Sequence, residues 1–156
     1  MFKWAVSRGN IPFNLMDGME TPRAVTPRER WLTDDELRRV WAAAPQTHRC
    51  FGPIVRILML TGQRREEVSG MAWDELFREE REWRIPGTRT ENGKPNIAPL
   101  SDLVAALINE LAGGTAWPRR GRLFCTSTGA GFTAYAKGKT KLDKLIEADG
   151  GEPLFP

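Results

Sequence analysis

Leu58-Met59-Leu60-Thr61-Gly62-Gln63-Arg64-Arg65-Glu66-Glu67-Val68-Ser69-Gly70-Met71-Ala72-Trp73-Asp74-Glu75-Leu76 is the stretch that decides the fold. It begins inside a run, Pro53 to Thr61, that Ile54, Val55, Ile57, Leu58, Met59 and Leu60 make apolar nearly all round. That pattern predicts a buried helix. Gly62 closes it, since glycine takes the left-handed conformation of a helix stop without steric cost. Arg65 to Met71 reads as a short further helix that ends at Gly70. Arg64 therefore stands at a tight turn where a helix begins. Free amides at such a start favour a phosphate, and a guanidinium adds a rigid fork of donors. Glu67, three residues on, shares a helical face with Arg64 and is placed to hold it. From spacing alone, the commoner meaning of such a pair is an exposed, weak ion pair.

Upstream, Thr33 and Glu36 have the spacing of a capping box, with Leu32 and Leu37 at the positions of a hydrophobic staple. Leu37, Val40, Trp41 and Ala44 continue at helical spacing until Pro45. Downstream, Trp83 to Ile85, Thr88 to Thr90 and Asn96 to Ala98 read as short strands, and Asn92-Gly93 is a favoured pair for a tight hairpin turn. Ser101 caps a helix carrying Val104, Leu107, Ile108 and Leu111, stopped by Gly113-Gly114. Leu123 to Cys125 is a further candidate strand. Ala134 to Glu147 is a lysine-rich helix with Leu142, Leu145 and Ile146 facing inward. The expected class is α+β, mainly helical, with a small three-stranded antiparallel sheet.

The N-terminal region is different. Met1 to Ser7 reads as the end of a helix, stopped by Gly9-Asn10 and Ile11-Pro12. Residues 9–30 hold Pro12, Pro22 and Pro27 with little apolar periodicity, as a linker would. The expectation is that residues 1–8 end a preceding domain, 9–30 connect, and 31–156 form part of a globular domain. The 40% hydrophobic and 28% charged shares are those of a soluble protein. No apolar run reaches transmembrane length, and Met1 to Asn10 lacks the pattern of a signal peptide. Cys50 and Cys125 have no metal-ligand spacing, so they read as reduced or buried thiols of a cytoplasmic protein.

Net charge is +3, but it is unevenly spread. From Pro118 to Lys144, Arg119, Arg120, Arg122, Lys137, Lys139, Lys141 and Lys144 face the single acid Asp143. A basic block on a near-neutral chain is the footprint of a polyanion partner, or a solvated face. No catalytic set is complete. His48 is the single histidine and reads as an exposed loop residue, which removes histidine-pair metal motifs. Neither a G-x-x-x-x-G-K run nor a G-x-G-x-x-G turn occurs.

Thr61-Gly62-Gln63-Arg64-Arg65-Glu66-Glu67-Val68, followed by Met71-Ala72-Trp73-Asp74, resembles the first-arginine motif of tyrosine recombinases of the phage-integrase type, T-G-x-R-x-x-E…W-x-[DE]. Arg89-Thr90-Glu91-Asn92-Gly93-Lys94-Pro95 with Pro99-Leu100-Ser101 is similar to that family's R-T-K-N-G-K-P hairpin. The resemblance covers nearly the whole chain. It implies that Arg64 is the first catalytic arginine, on a non-bridging oxygen of the scissile DNA phosphate, and that Glu67 buttresses it. It also implies a tyrosine nucleophile, a 3′-phosphotyrosyl intermediate and no metal or ATP, because the intermediate stores the phosphodiester. Residues 1–8 would then end a core-binding domain, and 31–156 would be a catalytic domain truncated at its C-terminus. The implied partners are double-stranded DNA and other recombinase subunits, with no membrane, in the cytoplasm of a cell carrying a prophage.

Two features depart from the family. Glu91 stands where the family has its general-acid lysine, which leaves Lys94, across the Asn92-Gly93 turn, as the nearest replacement. The H-x-x-R motif and the tyrosine nucleophile should lie beyond Pro156, so Tyr135, the single tyrosine, reads as a core or groove aromatic. Arg89, Arg119, Arg120, Lys137, Lys139 and Lys141 are the candidate DNA contacts. An intact parent would break and rejoin DNA, whereas this chain alone would be inactive. The rival reading is a non-catalytic DNA-binding relic on the same scaffold. A protein–protein module with a merely solvated basic helix would leave the Thr61 to Asp74 pattern unexplained.

Overall fold

The structure, a computed structural model, describes residues 1–20, 31–114, 116–125 and 129–152. The chain divides into two compact units, Met1–Trp31 and Leu32–Pro156. In the first, α1 (Phe2–Ser7) ends in turns, and Trp4, Phe13, Leu15 and Met19 are exposed. Pro22 and Pro27 of the expected linker, and the chain end from Pro153, lie outside the described residues.

Among the described residues, the second unit holds the hydrophobic core. It opens with α2 (Asp34–Ala43), whose capping box is formed: the Glu36 amide donates to Thr33 Oγ1 at 3.3 Å and the Thr33 amide to Glu36 Oε2 at 2.7 Å. α3 (Phe51–Thr61) is the central helix and touches α2, α4 (Arg65–Ser69), α5 (Asp102–Ala112) and α6 (Tyr135–Ala148). Its Ile54 and Ile57 are fully buried, each contributing about 2 kcal/mol by leaving water. The expected burial holds for part of the surface of α3. Val55, Leu58, Met59 and Leu60 are half-buried and pack against the core.

The sheet has three antiparallel strands in the order β1 (Leu76–Phe77), β2 (Glu82–Ile85), β3 (Asn96–Pro99). Trp83 and Ile85 of β2 point into the core while Glu82 and Arg84 point out, and Trp83 pairs with Ala98. The sheet was expected, but one of its strands was not. Thr88 to Thr90 is not a strand: Gly87–Arg89 is a turn of 3-10 helix inside the long loop joining β2 to β3. Gly87 lets that loop fold on itself, since a Cβ there would lie 2.4 Å from the Gly93 carbonyl oxygen. Leu123 to Cys125 is not a strand: Cys125 makes a single bridge with Gly131, and Arg122, just before the segment, makes one with Ala72.

Both cysteines are free. The Cys50 thiol donates to the Cys125 carbonyl at 3.6 Å, and burial pushes its pKa up. His48 is exposed, as expected, with its ring stacked on Phe132 at 5.1 Å. No helix among the described residues is long and apolar enough to cross a membrane.

Gly52 permits the close contact of α3 with the end of α2. A Cβ there would stand 2.3 Å from the Ala44 carbonyl oxygen, a backbone atom that cannot swing aside. Alanine gains up to about 1 kcal/mol in helix propensity, while a forced backbone shift in a filled core costs about 1–3 kcal/mol. Gly52→Ala is therefore expected to lower stability by about 1–2 kcal/mol in urea unfolding. An unchanged or raised midpoint would show that the contact yields.

Candidate functional site

α3 ends as its sequence dictates. Gly62 adopts φ 62°, ψ 12°, and its amide donates to the Leu58 carbonyl at 2.9 Å. Thr61 Oγ1 donates back to the Ile57 carbonyl at 2.7 Å, and Gln63 Oε1 accepts from Asn96 Nδ2 at 3.0 Å, tying the turn to the start of β3. The chain then enters α4 with Arg64 as the extended N-cap residue.

Glu67 is 4% exposed and fixes that entry. Its Oε2 accepts from the Arg64 amide at 3.1 Å, and its Oε1 lies 3.6 Å from the Arg64 guanidinium. The Arg64 side chain remains 65% exposed, and its other terminal nitrogen meets Glu91 Oε2 at 2.8 Å. Arg64 thus joins one buried carboxylate that anchors it and one exposed carboxylate from the β2–β3 loop. Arg65, beside it, lays its guanidinium 4.9 Å over the ring of Tyr135. Tyr135 is half-buried at the start of α6 and meets Phe132 edge-on at 5.1 Å.

The remaining site residues separate into groups. Lys94 is exposed in the loop, with its amide donating to Asn92 Oδ1 at 3.0 Å and its carbonyl accepting from Thr90 Oγ1 at 2.7 Å. The loop brings Glu91, the residue in the lysine position, against Arg64. Arg89 does not project outward as a DNA contact would: it turns inward, donating to Glu75 Oε1 and to the Glu67 carbonyl. Arg119 and Arg120 are exposed on the segment between α5 and α6.

On α6, Lys137, Lys141 and Lys144 line one face with Ala136 and Thr140. Lys141 also donates to the Thr47 carbonyl at 3.1 Å. Lys139 faces elsewhere, half-buried, and donates to Asp143 Oδ2 at 2.7 Å. The i, i+4, i+7 spacing of Lys137, Lys141 and Lys144 was the signal that selects Lys144 over Lys139. Glu75 was not singled out, although Trp73-Asp74-Glu75 fits the W-x-[DE] end of the resembled motif; the motif marks the acid but not its burial.

A helical domain around a three-stranded antiparallel sheet, with an arginine on the turn between α3 and α4, is the architecture of a tyrosine recombinase catalytic domain. The phage integrase family matches residues 30–147, and the chain belongs to that family. Its fold is similar to the integrase from mycobacterium phage Brujita, with a TM-score of 0.57 and 16% identity. The match covers 96% of this chain and 48% of that integrase, so the chain spans about half its length. No curated protein matches the sequence.

The two ends of the Arg64–Glu67 pair should respond differently to removal. Glu67→Ala deletes a buried acceptor of a charge-assisted hydrogen bond, a loss of about 1.5–3 kcal/mol. Arg64→Ala removes an exposed side chain and should cost less than about 1 kcal/mol. Urea unfolding of the two variants measures the difference, and equal losses would contradict the anchoring role of Glu67.

Proposed function

We propose that this chain is part of a site-specific DNA recombinase that engages duplex DNA through Arg64 and a basic surface. The observation that carries this reading is the exposed Arg64 guanidinium held from below by a buried carboxylate. Such a side chain is pre-aimed, so little conformational entropy is lost when it takes up a phosphate. In the reaction, a tyrosine hydroxyl from elsewhere in the recombinase attacks the scissile phosphorus and displaces the 5′ oxygen. Arg64 offsets the charge that builds on the non-bridging oxygens, a term worth several kcal/mol in comparable sites. Lys94 is the candidate donor of the proton to the departing oxygen, since a lysine releases a proton and an arginine practically does not. Other recombinase subunits would complete the assembly on DNA. Residues 1–8 and 9–30 are read as the end of a core-binding domain and its connector.

The rival reading, a DNA-binding protein that does not cut, is favoured by the Arg64–Glu91 ion pair. A carboxylate in the lysine position accepts a proton where the reaction must supply one. It also occupies a nitrogen of Arg64 that a phosphate would take.

Two measurements on duplex DNA test the proposal. Binding should weaken with salt, and Lys137→Ala and Lys144→Ala should each reduce the log–log slope by about 1. Lys139→Ala should leave the slope unchanged, because that ammonium is held at Asp143. A slope indifferent to Lys137 and Lys144 would remove this face of α6 from the interface.

Glu91→Gln should tighten DNA binding several-fold by releasing Arg64 and removing a charge that repels phosphate. Unchanged or weaker binding would show that Glu91 does not compete for Arg64. Neither form of the chain should yield a covalent adduct on a denaturing gel, and an adduct at Tyr135 would make that residue the nucleophile.

A further inference from the structure

A five-residue helix cannot stand alone. Helix nucleation is unfavourable, and a single turn has almost no internal hydrogen bonds to offset it. α4, which carries Arg64 at its entrance, must therefore be held by groups outside itself. Glu67 closes its first turn through the Arg64 amide. Its far end is held by Arg89. The Gly70 amide donates to Glu66 and the Met71 amide to Val68, so the regular i+4 donor does not serve the Glu67 carbonyl. Arg89 donates to that carbonyl from twenty-two residues away. Gly70 leaves the room: a Cβ there would sit 3.0 Å from the Arg89 guanidinium and 3.1 Å from the Glu66 carbonyl oxygen.

Arg89 is fixed in turn. Its other terminal nitrogen donates to Glu75 Oε1, and both side chains are largely buried. Glu75 Oε2 accepts from Trp83 Nε1 at 3.0 Å and from the Ala72 amide at 3.3 Å. Trp83 is fully buried in the central strand. An unbroken set of charge-assisted hydrogen bonds therefore runs from the sheet through Glu75 and Arg89 to the Glu67 backbone, one residue whose side chain grips Arg64.

We propose that Glu75 and Arg89 are positioning residues for Arg64, bracing α4 against the sheet so that the guanidinium is held in its phosphate-binding place. The inference rests on the reading of Arg64 as a phosphate ligand. It assigns Arg89 a role behind the interface rather than in it. The fork of Arg89 suits the task, since it reaches a carboxylate and a carbonyl in different directions.

A double-mutant cycle on the whole chain, read as affinity for a short fluorescent DNA duplex, tests this. With the brace intact, Arg64→Ala should weaken binding about tenfold, as expected for a charge-assisted hydrogen bond. In an Arg89→Met background the same change should cost less than about twofold, because Arg64 is no longer aimed. Arg89→Lys should fall between, one ammonium serving a single acceptor. Circular dichroism at the assay temperature confirms that the variants are folded, and Glu75→Gln replaces Arg89→Met if that protein unfolds. An equal Arg64 cost in both backgrounds overturns the brace and leaves the phosphate role of Arg64 standing. If Arg64→Ala has no effect in the unaltered chain, the phosphate role falls and the brace falls with it.

Discussion

A buried carboxylate is tolerated only when its oxygens are satisfied, and this constraint organises the region between α3 and the sheet. Glu67 and Glu75 are the two buried acids among the described residues, and each reaches back to the amide of the residue three positions before it, Arg64 and Ala72. That shared local geometry leaves each with capacity to spare. Glu67 spends it on the guanidinium of Arg64, and Glu75 on Trp83 and Arg89. The charge on each acid thus fixes the end of a short helical turn and binds an arginine at once. Removing Glu75 or Arg89 would leave the other largely buried charge without its partner, whereas Arg64 is exposed and its loss costs little.

The same constraint explains why the β2–β3 loop is not a tight hairpin. A two-residue turn at Asn92-Gly93 would continue the strands through Arg89 and point its side chain along the sheet face. The chain instead leaves β2 at Ile85 and turns through Gly87–Arg89, which brings the guanidinium to Glu75. The loop then closes on itself, with Thr90 Oγ1 donating to the Lys94 carbonyl and the Lys94 amide to Asn92 Oδ1. One product of that path is Glu91 resting on Arg64.

Local rules written in few residues were legible in the sequence. The Thr33–Glu36 box, the Gly62 stop, the Ser101 cap and the alternation of Trp83 and Ile85 each depend on neighbours within four positions. The Arg64 turn belongs to the same class. β1 was missed because two residues show no alternation, and Thr88 to Thr90 was misread because the pull of Glu75 on Arg89 acts across fourteen positions. Which positions of α3 are only half-buried was not legible for a related reason: apolar composition says what can be buried, while the packing of distant elements decides what is. Lys139 illustrates the limit on charge. Composition placed it in the basic block, and its helical phase put it beside Asp143.

The two carboxylates on Arg64 differ in what they ask of an incoming anion. The pair with Glu91 is between two well-exposed side chains, and such pairs are worth at most about 1 kcal/mol once solvent screening and side-chain entropy are counted. A charge-assisted hydrogen bond from a guanidinium to a phosphate contributes about 1.5–3 kcal/mol. Under the proposed function, an incoming phosphate would have to offset no more than about 1 kcal/mol to displace Glu91. Glu67 is not exchanged, because its carboxylate is buried and also holds the Arg64 backbone. Arg64 is in this way divided: the side held by Glu67 fixes where it points, and the side held by Glu91 remains open to competition.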